Sequence, residues 1–270
     1  MGYNPYLYRM KATVLASGSK GNCTYLEGGS GALIIDAGLS ARETLLRLEC
    51  AGGNPELIEG ILVTHEHSDH ISGLDTLARK LDVPVLATQG TLWEFESKRN
   101  PKSRSKEISM IPLKTGDIFE FAGFRIKPFS TYHDAIDPCG FRILEGDSKF
   151  GFCTDTGQIT EKMEEELFGC DAVVLESNHC PVMLENGPYP KFLKERIRDK
   201  KRGHLSNTAA GEFIKRSHGD IGEIILAHLS QENNTPEKAL TSAKNSAGLS
   251  VDDMLFEVSL QDKVCGTIKI

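Results

Sequence analysis

The chain has 270 residues, 39% of them hydrophobic and 26% charged, with a formal net charge of −7. That is the composition of an ordinary globular protein long enough to bury a full core, and it excludes a mainly disordered chain, a collagen and a disulfide-stapled miniprotein. The longest unbroken hydrophobic run is four residues, as in Ala32–Ile35, against roughly 20 for a membrane span, so no membrane partner is expected. Seven cysteines are scattered without a CxxC pair. That pattern fits a reducing, cytoplasmic setting better than a secreted disulfide framework. The opening residues, MGYNPYLYRM, lack the basic and apolar regions of a signal peptide and read as a flexible leader over 1–10. No linker divides the rest of the chain, so residues 11–270 are expected to form a single domain.

In chain order, short β-branched runs predict strands at 11–16, 32–36, 60–64, 83–87, 118–121, 124–129, 150–153, 172–176 and 223–227. Between them, Ser40-Ala41-Arg42-Glu43 is a capping box, with Ser40 accepting from a free amide and Glu43 reaching back. Ile71, Leu74, Leu77, Ala78 and Leu81 form an apolar stripe at helical spacing. Helices are also predicted over 208–217 and 236–247, the latter with Pro236 at its first position behind Thr235. Strands and helices interleaved in this way predict a layered α/β protein. The Ser17–Asn22 loop after the first strand reads as a tight hairpin turn. Its glycines would also let backbone amides, with Ser19 and Asn22, approach a phosphate or floor a site.

Chemistry concentrates in Thr64-His65-Glu66-His67-Ser68-Asp69-His70, between an apolar strand and an apolar helical stripe. In an extended turn His65 and His67 project the same way, while Asp69 and His70 lie past the bend and aim at a second point. Lone histidines are usually satisfied core or surface residues, but three histidines and an aspartate crowded at a strand end would place many polar groups at a core boundary. Metal binding explains them, and imidazole with carboxylate suits Zn²⁺, with Mn²⁺ or Fe also admissible.

This HxHxDH segment resembles the metallo-β-lactamase superfamily. The resemblance implies an α/β fold, a four-layer αβ/βα sandwich, with two divalent metal ions at its edge. Residue by residue, it implies that His65, His67 and His133 hold the first metal. Asp69, His70 and His228 would hold the second, with Asp155 bridging. Two metals would lower the pKa of a shared water, yield a hydroxide nucleophile at neutral pH and polarise the attacked centre; Asp69 would also orient that nucleophile.

Further segments narrow the substrate. Gly203-His204-Leu205-Ser206-Asn207 resembles the extra His-x-Ser/Thr motif of the phosphodiesterase branch, which implies His204 as the group serving the leaving oxygen. In Leu175-Glu176-Ser177-Asn178-His179, Glu176 is placed to orient His204, and His179 to contact phosphate or to be only a turn residue. Together with LASGSKGN at 15–22 and HLSQENN at 228–234, the pattern resembles the YycJ/WalJ group of bacterial proteins, viewed as 5′ exonucleases on DNA. Cys180 departs from the aspartate expected there.

Two stretches concentrate the basic charge. Residues 97–106 carry five basic and no acidic side chains, and residues 191–202 carry seven basic and two acidic. Either is a solvated surface or a phosphate-binding one. The second ends at Arg202, beside His204, which favours phosphate. Ser206 and Asn207 either meet substrate or cap the following helix. Trp93, Phe95 and the tyrosines are candidate stacking platforms. The expected function is a dinuclear phosphodiesterase, a 5′-to-3′ DNA exonuclease, with nucleic acid as partner and DNA ahead of RNA. The alternatives are an RNA-directed nuclease, a hydrolase of a small cyclic phosphodiester, thioester or lactone, and a non-enzymatic scaffold.

Overall fold

A computed structural model describes residues 10–100, 107–217, 219–247 and 255–270. Residues 1–9 of the expected leader and 101–106 of the first basic stretch lie outside the described residues.

Two seven-stranded mixed sheets are stacked face to face. The first runs β1 (Lys11–Ala16), β2 (Cys23–Glu27), β3 (Ala32–Ile35), β4 (Ile58–Leu62), β5 (Val85–Thr88) and β6 (Met110–Leu113), in that spatial order, with β14 (Ile268–Lys269) outside β1. The second places β7 (Phe119–Phe121), β8 (Phe124–Ser130), β9 (Cys139–Glu145), β10 (Ser148–Cys153), β11 (Ala172–Glu176), β12 (Glu223–Ala227) and β13 (Leu255–Val258) side by side. In each sheet the antiparallel strands give way to parallel ones, from β3 to β6 and from β10 to β13.

Side-chain alternation builds the layers. Leu33, Ile35, Phe124, Ile126, Phe141, Phe150, Val174 and Ile225 fill the core between the sheets. From the same strands, Ala32 and Ile34 face outward onto helices α1 (Ala41–Cys50), α3 (Leu74–Leu81) and α4 (Gln89–Lys98), through Leu48, Leu77 and Phe95. Val173, Leu175 and Leu226 face α5 (Glu161–Leu167), α8 (Asn207–Arg216) and α9 (Pro236–Ala247), through Met163, Phe213 and Ala243. The order helix, sheet, sheet, helix is the expected four-layer sandwich. Strands buried on both faces need apolar residues throughout, which is why ALII, AVVL and IILA are unbroken.

Local details differ from the sequence reading. The stripe beginning at Ile71 is two helices, α2 (Ser68–Ile71) and α3, broken at Gly73. A Cβ at Gly73 would lie 1.8 Å from the Leu39 carbonyl oxygen, so only glycine admits this backbone crossing. Ser40 caps α1 by accepting from the Glu43 amide at 3.2 Å, but the Glu43 carboxylate turns forward to Arg47 at 2.7 Å instead of reaching back. Phe95 is a core residue, 3% exposed, and is removed from the stacking candidates. Among the described residues, no helix is long and apolar enough to cross a membrane.

Candidate metal centre

Strand direction assembles the site. Asp36, the 64–70 segment, His133, Asp155, Glu176 and His228 each lie at or just beyond the carboxyl end of β3, β4, β8, β10, β11 or β12. The two sheets therefore deliver their polar turns to one shared edge, where ligands of α/β folds collect. The chain crosses there by close backbone contact. The Asp69 carbonyl accepts from the Asn22 amide at 2.8 Å, and a Cβ on Gly38 would stand 1.7 Å from that same carbonyl oxygen.

The structure brings all seven expected ligands together. Four groups, His65–His67–His133, His65–His70–Asp155, Asp69–His70–His228 and Asp155–Glu176–His204–His228, each have donor atoms within 4.8 Å of one another. His133 Nε2 and His67 Nδ1 approach to 3.2 Å. Asp155 lies between the groups, with Oδ1 3.6 Å from His133 Nε2 and 3.4 Å from His228 Nδ1, and Oδ2 3.2 Å from His70 Nε2.

Four imidazoles use Nδ1 on an outer partner and turn Nε2 inward. His70 Nδ1 meets Asp36 Oδ2 at 2.8 Å, His65 Nδ1 meets the Thr64 hydroxyl at 3.0 Å, His133 Nδ1 donates to the Gly203 carbonyl at 3.0 Å, and His228 Nδ1 meets Glu176 Oε1 at 3.2 Å. This arrangement orients histidines around a metal and fixes their tautomers. His65 Nε2 and His228 Nε2 are buried without a hydrogen-bond partner. Each such atom costs about 1–3 kcal/mol when left unmatched. Converging at one edge, they fit a divalent cation.

Buried carboxylates draw positive charge to the cluster. Burial, reinforced by neighbouring His70, holds His65 well below the ordinary imidazole range. Burial opposes charge on His70 too, but Asp36 and Asp155 outweigh it and hold that ring well above its usual value. Burial would raise Asp155, yet His228 and His70 keep it well below the carboxylate norm. Backbone shape contributes as well. Asp36, Asp155 and His228 have φ of 61°, 53° and 55°, a left-handed conformation that costs roughly 1 kcal/mol or more and collects at functional sites.

His204 stands beside this cluster, 23% exposed at the side chain, with Nδ1 2.7 Å from Glu176 Oε1 and 3.6 Å from Asp155 Oδ1. Its ring centre is 4.9 Å from that of His133 and 5.3 Å from that of His228. Burial disfavours its charged form, but Glu176 and Asp155 raise it above the ordinary histidine value. Glu176, fully buried, also accepts from the Thr156 and Leu205 amides at 2.8 and 3.2 Å.

The chain as a whole is similar to known proteins. The family model described as a beta-lactamase superfamily domain matches residues 32–228. The chain belongs to this superfamily. Exodeoxyribonuclease WalJ of Streptococcus pneumoniae serotype 2 is 35% identical, covering 92% of this chain and 94% of the relative. Exodeoxyribonuclease YycJ of Bacillus anthracis is 39% identical over 85% of this chain and 86% of its own length. Among solved structures, the metallo-β-lactamase fold protein YhfI of Bacillus subtilis superposes with a TM-score of 0.71 at 16% identity, covering 95% of this chain and 99% of that one. The chain is a metal-dependent hydrolase of the metallo-β-lactamase fold.

Within this superfamily frame the remaining expected residues take different places. Asn22 is buried, with Nδ2 3.0 Å from His70 Nε2 and 3.4 Å from Asp69 Oδ2, so the end of the hairpin loop reaches the donor cluster. Ser19 is on the exposed side of that loop. Ser206 caps α8 through the Ala209 amide at 3.2 Å. Asn207 is locked in a reciprocal amide pair with Asn234, both bonds 2.8 Å, and accepts from the Ser177 hydroxyl. Both therefore brace the loop that presents His204. The Arg202 guanidinium turns back onto Asp199 at 3.1 Å. His179 is 3% exposed, its Nδ1 has no partner, and burial pushes it down to about 4.

Several participants are absent from the sequence reading. Asp36 accepts from the Thr64 amide, the Thr64 hydroxyl and His70, and is fully buried. A lone aspartate closing an apolar strand in IIDAG was the available signal. Asp134 Oδ1 lies 3.3 Å from His133 Nε2 and 3.8 Å from His67 Nε2, while Oδ2 pairs with Arg196. Ser17, in the loop the sequence did single out, has a role of its own and accepts from the His228 amide at 2.7 Å.

Proposed function

We propose that this chain is a dinuclear metal-dependent 5′-to-3′ DNA exonuclease acting in the cytoplasm, with residues 11–270 as one catalytic domain. His65, His67 and His133 would hold one metal ion and Asp69, His70 and His228 the other, with Asp155 available to both. Zn²⁺, Mn²⁺ and Fe all suit imidazole and carboxylate donors. When bound, such ions supply an activated water and positive charge at the attacked phosphorus.

The observation that carries the reading is the Glu176–His204 pair beside the donor cluster. Phosphodiester cleavage must place a proton on, or stabilise, a departing alkoxide. The Nδ1–H of His204 donates to Glu176, which directs Nε2 away from it. The nearby carboxylates favour the protonated ring, and Ser206 and Asn207 hold its loop in place. Asp69, 21% exposed at the side chain, orients the nucleophile from the opposite chain segment. The basic stretch up to Arg202 serves the substrate phosphates, whereas His179 is buried away from them, and the relatives named as exodeoxyribonucleases support DNA as the polymer. The seven free cysteines suit a reducing compartment.

The test is degradation of 5′-phosphorylated, 3′-labelled DNA, duplex and single-stranded, with an RNA strand beside it, in Mn²⁺ or Zn²⁺. Progressive shortening from the 5′ end, abolished in His67→Ala and reduced about 100- to 10,000-fold in His204→Ala at unchanged metal content, is the expected result. Protein holding two metals that cleaves no polymer overturns it, and a small phosphodiester or thioester hydrolase then takes its place.

A further inference from the structure

Helix α7 (Lys191–Arg198) buries none of its residues. A lone eight-residue helix is marginal in water, and surface helices ordinarily dock by an apolar face. Here Leu193, Lys194 and Ile197 lie on the half-buried side. Polar ties fasten that side: Lys194 Nζ donates to the Glu185 carbonyl at 2.6 Å, and the Ile197 carbonyl accepts from the His204 amide at 2.9 Å. The outward side presents Phe192, 71% exposed.

Phe192 and Arg196 are separated by four residues and share a face. Arg196 pairs with Asp134, whose other oxygen lies 3.3 Å from His133 Nε2. The exposed phenyl ring is thus one helical turn from a contact to the donor cluster, and it is flanked by cations. Lys191, 90% exposed at the side chain, lies 3.7 Å from Glu195, Arg196 is 58% exposed, and Lys200 and Lys201 continue the surface past the helix, so cations outnumber this one carboxylate. An aromatic ring standing in water amid positive charge does not match an apolar protein partner, which would have to bury those charges. It matches a single nucleic-acid strand, whose bases stack on aromatic faces while its phosphates meet Lys and Arg.

We propose that Phe192 is a base-stacking platform for a single-stranded nucleic-acid segment next to the scissile phosphodiester, with Arg196 fixing the platform's position against the 133–134 turn. The inference rests on the nuclease reading above, and it assigns to α7 the part of the substrate that the centre itself does not touch. Arg196 is a positioning residue here; Phe192 touches substrate.

Equilibrium binding separates this proposal from the cleavage reaction. The probe is a 12-nucleotide DNA strand carrying 2-aminopurine, titrated in Ca²⁺ against His67→Ala protein, which does not turn the strand over. Quenching of 2-aminopurine fluorescence on binding is expected. In the His67→Ala background, Phe192→Ala is expected to weaken binding by roughly 5- to 150-fold and to relieve the quenching. Phe192→Trp should retain both, whereas Phe192→Leu, apolar but without a π face, should behave as Phe192→Ala. Because the ring is solvent-exposed, circular dichroism and the unfolding midpoint of each variant should match the parent. Parent protein that leaves the fluorescence unchanged, equal affinity of the alanine variant, or full retention in the leucine variant each overturn the platform. A nuclease assay that fails while this binding holds counts against the exonuclease reading alone.

Discussion

The two halves of the sandwich build their parts of the metal centre differently. The first sheet supplies His65, His67, Asp69 and His70 from one short segment after β4, and none of these four has a left-handed backbone. The second supplies His133, Asp155 and His228 from three separate strand ends, and two of these three do. A contiguous motif can aim several ligands through the ordinary alternation of an extended turn and one helical turn. Two of the three ligands delivered one per strand, Asp155 and His228, are re-aimed by a left-handed turn, which the surrounding sheet has to enforce. Support divides the same way. Asp36 braces the first group through Thr64 and His70, and Glu176 braces the second through His204, His228 and two backbone amides.

Removing the braces tests this contrast most strongly. Glu176→Ala leaves four groups without their acceptor and is expected to lower unfolding free energy by about 3–5 kcal/mol, measured by urea denaturation. Asp36→Ala should cost about as much. Asp36→Asn, which keeps one acceptor oxygen, should fold and instead weaken zinc binding about 10- to 100-fold in a competitive dye titration. Zinc affinity equal to the parent's in Asp36→Asn would break the assignment of Asp36 as the brace of the first group.

Metal removal tests whether the ions join the halves. Chelation is expected to lower stability by about 3 kcal/mol for each ion removed, about 5 kcal/mol for the pair, relative to protein in metal at 100 times each site's dissociation constant. His65→Ala and His228→Ala, from opposite sheets, should each forfeit part of that gain. Equal thermal midpoints with and without chelator would show that the halves cohere without them.

The smallest effect concerns His179. Its folded pKa, about 4, lies below its ordinary 6.5, so the unfolded chain binds the extra proton and stability falls as pH drops from 6.5 towards 4. Between pH 7 and 5 the parent is expected to lose about 2 kcal/mol more than His179→Asn. Parallel pH profiles of the two proteins would remove burial as the cause.

The same division explains what was legible in the sequence. The 64–70 segment announces itself because its ligands are adjacent, and the apolar runs of β3, β11 and β12 announce themselves because both their faces are covered. His133, Asp155 and His228 are single residues in ordinary turns and became readable through the family pattern. Asp36, Asp134 and the partners of Asn207 escaped because their role depends on a neighbour more than 25 residues away. β6 was obscured by Pro112, admissible there because β6 is an edge strand. β9, carrying Gly140 and Arg142, lacks the uniform apolar run. Phe192 reads as one more apolar residue in a basic stretch until α7 is seen to bury nothing.

The Gly38 crossing has a consequence for how this site can change over time. Backbone meets backbone there, between the hairpin loop, the turn after β3 and the ligand segment. Drift in exposed side chains of the ligand segment, such as Ser68, leaves that contact untouched, whereas any side chain at position 38 would displace the loop carrying four ligands. The centre is thus open to altered substrates through its rim and closed to gradual change at its base, so descendants of this chain can acquire new specificities more readily than new metal geometries.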